Sequence, residues 1–291
     1  MSYLDRVRTC ALFDPADYRP FRVDGIEVGL VSHDFAAVLA PMTDVFSVGV
    51  DTVALAAELP TDSDARTRAV NAALKPLAEQ GLLHGWRDED YVVAVKPGAP
   101  ALFRMERAAV PKFGLIAAGI HVNGIVRSGD GLKMWVGRRA LDKATSPGKL
   151  DQLVGGGQHA GASVFETLLK ESAEEADINA DLAGRAMPVG AITYRTEREE
   201  GLRRDVLYVF DLELPPDFTP RNTDGEISEF YLWPIEQVIE TVRETDAFKF
   251  NCALVVIDFL IRHGLIGPAE PDYLDLVHGL RSLHTGVEVP Q

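Results

Sequence analysis

Three glutamates, Glu171, Glu174 and Glu175, recur at i, i+3 and i+4 within VFETLLKESAEEA. On a helix turning about 100° per residue, side chains so spaced are neighbours on one face. Like charges held that close repel one another unless a cation stands among them. Hard carboxylate oxygens without a Cys or His partner suit Mg²⁺, Mn²⁺ or Ca²⁺ better than zinc. Lys170, four residues before Glu174, is spaced to steady a carboxylate. Upstream lies Val154-Gly155-Gly156-Gly157, a segment whose backbone can approach a ligand closely. Before it, residues 127–149 hold six basic residues against two acids. That local excess is what a phosphorylated substrate would need. On these features alone, a solvated acidic helix face and a solvated basic hairpin stay open as alternatives.

The elements that must position these groups are legible from periodicity. Ser163 followed by Glu166 has the spacing of a capping box, which starts the glutamate helix at 163 and runs it to about 178. Phe165, Leu168, Leu169, Ser172 and Ala176 fall on one arc, predicted to be buried, with Glu171, Glu174 and Glu175 on the other side and Glu166 kept for the cap. Strands are predicted over Phe113–Arg127, Leu132–Arg138, Val189–Thr196, Asp205–Leu214 and Glu229–Trp233. Pro234 suits the first turn of a helix ending near Val242, and Phe248–His263 reads as a last amphipathic helix closed by Gly264. This mixture implies an α/β/α sandwich over 111–265, with a helical extension at 266–291. Ahead of it, residues 1–110 read as a smaller α+β domain. It contains a hairpin turning at Asp24-Gly25, a helix over 64–80 and a β-rich run at Tyr91–Val95.

Composition bounds the rest. A 291-residue chain with 46% hydrophobic residues can bury real cores and points to two domains. A net charge of −15 argues against nucleic acid and anionic membranes as partners. No apolar run is long enough to span a bilayer, and the start MSYLDRVRTCALF lacks a secretory pattern, so a cytoplasmic location is the expectation. Cys10 and Cys252 stand far apart without metal-type spacing and read as buried thiols.

The segment GGGQHAGASVFETLLKESAEEADI resembles the Nudix box, usually G-x5-E-x7-R-E-U-x-E-E-x-G-U. Gly156 matches its leading glycine, Glu171 the glutamate after the arginine, and Glu174 and Glu175 its paired glutamates. Ala162, Lys170, Ser172 and Asp177 depart from the pattern. Further phrases, among them FGLIAAGIHVNGIV, WVGRRALDKATSPGKLDQLVGGG, DGEISEF and FKFNCALVVIDFLIRHG, resemble the thiamine-pyrophosphokinase-related Nudix subgroup, which carries an extra N-terminal domain. In that subgroup Lys170 and the missing early glutamate look usual.

The resemblance implies a Nudix fold, a mixed sheet between helices. It implies a Mg²⁺ (or Mn²⁺) cofactor and hydrolysis of a small-molecule diphosphate, with thiamine diphosphate or damaged thiamine diphosphates such as oxythiamine diphosphate as the substrate class. Metal ligands would be Glu174, Glu175 and the Gly156 carbonyl, and Glu171 would orient or deprotonate water beside Lys170. A further carboxylate is sought at Glu226, then Glu229. Arg138, Arg139, Lys143 and Lys149 are the phosphate-binding candidates. Two other readings stay open: hydrolysis of a nucleoside diphosphate derivative such as ADP-ribose, and a Nudix-fold module that binds without cleaving. Trp135, Tyr194, Tyr208 and Phe113 are candidates for stacking on a ring, with core packing as the alternative. His121, Trp86, Arg87 and Asn251 are read first as packing or capping residues. The N-terminal domain is assigned either to walling the pocket or to pairing subunits as a homodimer.

Overall fold

The computed structural model describes residues 2–143 and 145–282, so the end of the predicted C-terminal extension, 283–291, lies outside the described residues. The first part opens on α1 (Tyr3–Thr9) and then pairs β1 (Tyr18–Val23) with β2 (Ile26–Ser32). Asp24 and Gly25 both take positive φ, 50° and 79°, as a two-residue hairpin turn of the primed type requires. Helix α2 (His33–Leu39) leads to β3 (Phe46–Val48) and β4 (Val53–Leu55), completing a sheet ordered β2-β1-β4-β3. Helix α3 (Ser63–Glu79), capped by Asp62 and stopped before Gly81 at φ 76°, matches the helix expected over 64–80. A separate pair, β5 (Asp90–Val93) and β6 (Phe103–Glu106), finishes this layer.

The connection to the second part differs from expectation. Residues Arg107–Phe113 form a 3₁₀ helix, not the start of a strand, and Gly114 ends it in the left-handed region at φ 50°. The left-handed turn at Gly114 breaks the extended backbone, so β7 begins only at Ile116. Phe113 therefore faces back into the N-terminal core, where its ring meets those of Phe21, Phe35 and Phe46 at 4.9, 5.5 and 5.6 Å. It is a packing residue and not a stacking surface for ligand.

The second part holds a seven-stranded mixed sheet. Its strands are β7 (Ile116–Ser128), β8 (Gly131–Arg139), β9 (Leu150–Asp151), β10 (Val154–Gly157), β11 (Met187–Arg198), β12 (Gly201–Glu213) and β13 (Ile227–Pro234). The order is β11-β12-β7-β8-β13, with β10 beside β7 and β9 beside β8, and β7 and β12 run parallel. Alternation along the strands builds two cores. Ile120, Val122, Phe210 and Leu212 face α4 (Val164–Ala176) and α5 (Ala180–Ala183). Ile125, Leu207 and Val209 face α6 (Ile235–Glu244), α7 (Phe250–Arg262) and, further out, α8 (Tyr273–Gly279). The α/β/α sandwich expected from the sequence is thus present, preceded by an α+β layer. Helix α1, although first in the chain, packs in the α7 core through Tyr3, Leu4 and Val7. Tyr194 and Trp135 lie in these cores, 0% and 7% exposed, and Tyr208 is partly buried against the same core as Trp135.

Removing the Phe113 ring leaves a cavity at the junction of four aromatic side chains. Phe113→Ala should lower unfolding free energy by about 3–5 kcal/mol, read by urea denaturation. An unchanged midpoint would show that the ring is not a core element.

Candidate active site

Helix α4 starts where the capping box places it: Ser163 Oγ accepts from the Glu166 amide and the Glu166 carboxylate accepts from the Ser163 amide. It ends at Asp177 in the left-handed conformation, φ 55°. The buried face differs from the predicted arc. Phe165 is 53% exposed, whereas Glu175, placed on the outer side by periodicity, is only 4% exposed. The reason is β10. Its glycines let the strand run directly beneath the helix, so the face carrying Glu171 and Glu175 meets backbone in place of solvent.

The contacts are specific. The Gly155 amide donates to Glu175 Oε2 at 2.8 Å. Any side chain at Gly156 would overlap the Glu171 carboxylate, and one at Gly157 would overlap the Tyr91 hydroxyl. Lys170 Nζ bridges Glu171 Oε1 at 3.2 Å and Glu174 Oε2 at 2.6 Å. Glu226 approaches from the turn before β13 and pairs with Lys143 Nζ at 2.5 Å. Glu171, Glu174, Glu175 and Glu226 therefore share one neighbourhood beside Gly156, with Lys170 and Lys143 at their margin, although no three of these carboxylates place an oxygen within 4.8 Å of one another.

Electrostatics mark the same cluster. Burial pushes the Glu175 carboxyl well above the usual range; the Gly155 amide offsets this in part, while Asp151, Glu171 and Glu226 add to it. Burial likewise raises Glu171, with Lys170 opposing and Glu174 and Glu226 reinforcing. Burial alone would raise Glu226 too, but the Lys143 ammonium, with Arg139 and Arg87 behind it, holds it below the ordinary glutamate value. Acidic oxygens that raise one another's pKa form an environment short of positive charge. A hard divalent cation fits that donor set, and the Lys170 ammonium, wedged between two of the carboxylates, supplies part of the missing charge.

The remaining basic candidates separate. Arg139 is buried; its Nη1 holds Asp151 Oδ2 at 2.9 Å and its Nε and Nη2 donate to the Thr145 carbonyl, which removes it from the phosphate-binding set. Lys149 is turned to Asp246, with 3.0 Å to Oδ2, and lines a different cavity. Arg138 stays at the surface, its Nε 3.0 Å from the Tyr231 hydroxyl. Glu229, the second candidate for an extra ligand, accepts from that same hydroxyl and faces Arg138, so it belongs to a surface pair. Asn251 is 3% exposed and does not cap α7, which has no side-chain cap.

Residue spacing alone does not signal two further groups. The first is Tyr91 on β5, packed against Gly157, while the Asp90 carbonyl accepts the Ala160 amide at 2.8 Å. The N-terminal layer therefore seats directly on the segment entering α4. The buried Glu106 carboxylate fixes this edge by accepting from the Arg87 and Glu89 amides, both at 3.1 Å. The second is the buried trio His121, Asp151 and Cys252, whose ligand atoms lie within 4.8 Å of one another, a spacing that could hold a metal. Its charge balance favours a brace. Asp151 already has Arg139 at 2.9 Å and Lys249 at 3.9 Å. Burial moves the imidazole down to about 4 and the thiol well up, leaving both neutral. Only one negative charge faces two cations there, so a dication would be repelled.

Residues 118–252 match the NUDIX domain model, and residues 2–117 match a model described as a domain of unknown function, DUF4743. Nudix hydrolase 24, chloroplastic, from Arabidopsis thaliana is 45% identical over 287 residues, covering 96% of this chain and 78% of its own length. The chain belongs to the Nudix hydrolase family. Nudix hydrolase 20, chloroplastic, from the same plant is 42% identical over 91% of this chain and 73% of its own length. Among solved structures, the NUDIX domain of Shewanella oneidensis NrtR, complexed with ADP ribose, is 13% identical over 53% of this chain and 91% of that one, with a TM-score of 0.42. This Nudix hydrolase is an enzyme whose helix α4 lies within the matched NUDIX segment, and no helix among its described residues is long and apolar enough to cross a membrane.

The brace under β10 gives a pH-dependent prediction. Burial would raise the Asp151 carboxyl, but Lys249 and Arg139 more than offset this and lower it from 3.8 to about 2. Its folded value lies below the unfolded one, so its stabilisation is complete above about pH 4 and fades as pH falls toward 2. Asp151→Asn should destabilise the enzyme by about 3–5 kcal/mol at pH 7, because Arg139 is left buried without its counter-charge. The gap from wild type should narrow in acid, and denaturant titrations at pH 7 and pH 3 check both parts. A constant gap would mean that the carboxylate charge is not what matters.

Proposed function

We propose that this enzyme cleaves a diphosphate bond with the help of Mg²⁺ or Mn²⁺ bound at Glu171, Glu174, Glu175 and Glu226. Its substrates are proposed to be thiamine diphosphate or damaged (oxy/oxo) thiamine diphosphates such as oxythiamine diphosphate, converted to the monophosphate. The observation that carries the reading is Glu175: a carboxyl almost wholly buried, held by one amide of a glycine strand, and facing three further acids, Asp151, Glu171 and Glu226. Burial and those acids favour its protonated form, and a cation joining it would favour ionisation. The thiamine assignment rests on the likeness of the chain to the thiamine-pyrophosphokinase-related subgroup along nearly its whole length.

A divalent ion held there would supply charge neutralisation at the diphosphate oxygens and a lowered pKa for the attacking water. Glu174 and Glu175, with the Gly156 carbonyl beside them, would hold it. Glu171, whose elevated pKa suits proton exchange, takes the proton of the attacking water. Lys170 orients Glu171 and Glu174 through its two ion pairs. Lys143, from the margin at Glu226, meets a phosphate oxygen when substrate arrives. Tyr91 and the β5 segment wall the pocket from the N-terminal side, which excludes water from the reacting bond.

Glu174→Gln and Glu175→Gln should each lower kcat by about 10²–10⁴-fold while leaving the fold intact. The Glu175 change removes a buried charge, so its thermal midpoint should equal or exceed that of wild type. Wild-type turnover by either variant would end the assignment. A panel of diphosphates incubated with Mg²⁺, scored for released phosphate and monophosphate, tests the substrate class. Thiamine diphosphate or oxythiamine diphosphate should lead the panel, and activity should vanish with a chelator. A panel led by ADP-ribose or a nucleoside diphosphate would move the enzyme to a different substrate class.

A further inference from the structure

Away from the carboxylate cluster, a cavity of about 260 Å³ opens between α1, the end of α6 and the start of α7. Its lining includes Arg6, Lys149, Arg198 and Lys249, together with Phe248 and Phe250. Among the described residues, the single acid in that lining is Asp246, which Lys149 already holds at 3.0 Å. None of Gly156, Glu171, Glu174, Glu175 and Glu226 contributes to it. In a chain of net charge −15, four cations gathered around one hollow call for an explanation.

We propose that this cavity is a binding site for a phosphate dianion, free or carried on a small organic monoester. Local acids leave part of the positive charge unspent. Lys249 Nζ stands 3.9 Å from Asp151 Oδ2, beyond hydrogen-bond range, and its side chain is 16% exposed. The Arg198 guanidinium lies over the Phe250 ring at 4.1 Å and spends one nitrogen on the Thr9 carbonyl at 3.1 Å, while its Nε is buried without a partner. A buried guanidinium donor left unmatched is costly, and an oxyanion is the acceptor that suits its fork.

The backbone supplies a second element. Lys249, Phe250 and Ala253, the first turn of the thirteen-residue α7, line the cavity, and no side chain caps that end of the helix. Its amides and the positive end of its dipole favour an anion at the same place. The volume lies just under the roughly 300–1,000 Å³ of pockets for drug-sized ligands, so the occupant is small. Phe248, buried, and Phe250 offer an apolar wall to any carbon attached to the phosphate. The site stands on this cavity alone. The proposed reaction matters only in that cleaving a diphosphate would release both classes of occupant.

The test is equilibrium dialysis of radiolabelled inorganic phosphate, and separately of phenyl phosphate, against the full chain with a chelator present. Wild type should bind one equivalent saturably, with affinity falling as salt rises. Glu175→Gln should bind equally well, which separates this site from the carboxylate cluster and from any failure of the hydrolase assignment. Lys249→Met and Arg198→Met should each weaken binding about tenfold. Should Arg198→Met not fold, Lys249→Met decides the matter alone. Tighter binding of phenyl phosphate assigns the site to monoesters, and equal binding assigns it to free phosphate. Absence of saturation up to about 10 mM, loss of binding in Glu175→Gln, or undiminished binding by Lys249→Met overturns the proposal.

Discussion

A carboxylate sealed beneath a helix organises this molecule. Glu175 is 4% exposed, and its one direct hydrogen bond comes from the Gly155 amide. Taking such a charge out of water is unfavourable by several kcal/mol even after the protein relaxes, so neighbouring features exist to make the position tenable. The strand β10 has to be glycine there, because a methyl group at 156 would overlap Glu171. The helix has to begin at Ser163, because the capping box fixes where along β10 each glutamate falls. Lys170 has to sit on the same face to spread positive charge over Glu171 and Glu174. Each is a local rule of helix or strand chemistry, and together they converge on one patch of unbalanced negative potential.

Behind β10 a second polar layer carries the mechanical load. Asp151 accepts from Arg139 and from the Gln152 amide, and the Cys252 thiol and Gln152 side chain tie it to α7 and to His121. This layer joins β9, β7 and α7 directly under the glycine strand. A fully partnered network in a low-dielectric interior is rigid, and rigidity here holds β10 against α4. It also explains why an arginine from a basic stretch is unavailable to substrate: Arg139 is consumed in balancing the Asp151 charge.

The N-terminal layer is part of the same construction and not an appendage. Its first helix packs against α7, its connector is anchored by Phe113, and Tyr91 reaches the end of β10. Glycines record these close approaches: Gly201 lies against the Pro111 carbonyl and Gly29 against that of Phe113. Charge is partitioned on a similar scale. Acids collect along α4 and the turn before β13, while cations collect at the start of α7, so a strongly acidic chain still presents a positive hollow.

Much of this could be read from the order of residues alone. The capping box, the three glutamates at helical spacing, the glycine run and the Asp24-Gly25 turn are short-range signals, and each acts through backbone geometry fixed within a few residues. The sandwich and most of its strands followed from periodicity for the same reason. What spacing could not supply was which face of α4 is buried, since Phe165 and Glu175 exchanged their expected places once β10 lay beneath the helix. Nor could it tell Arg139, held inside by Asp151, from Lys143, left at the margin with Glu226. Phe113, expected on a strand, turned into the N-terminal core, and Tyr91 came to Gly157 from a distant segment. Those outcomes depend on partners remote in the chain, and a charged or aromatic side chain takes its role from whichever partner folding brings to it.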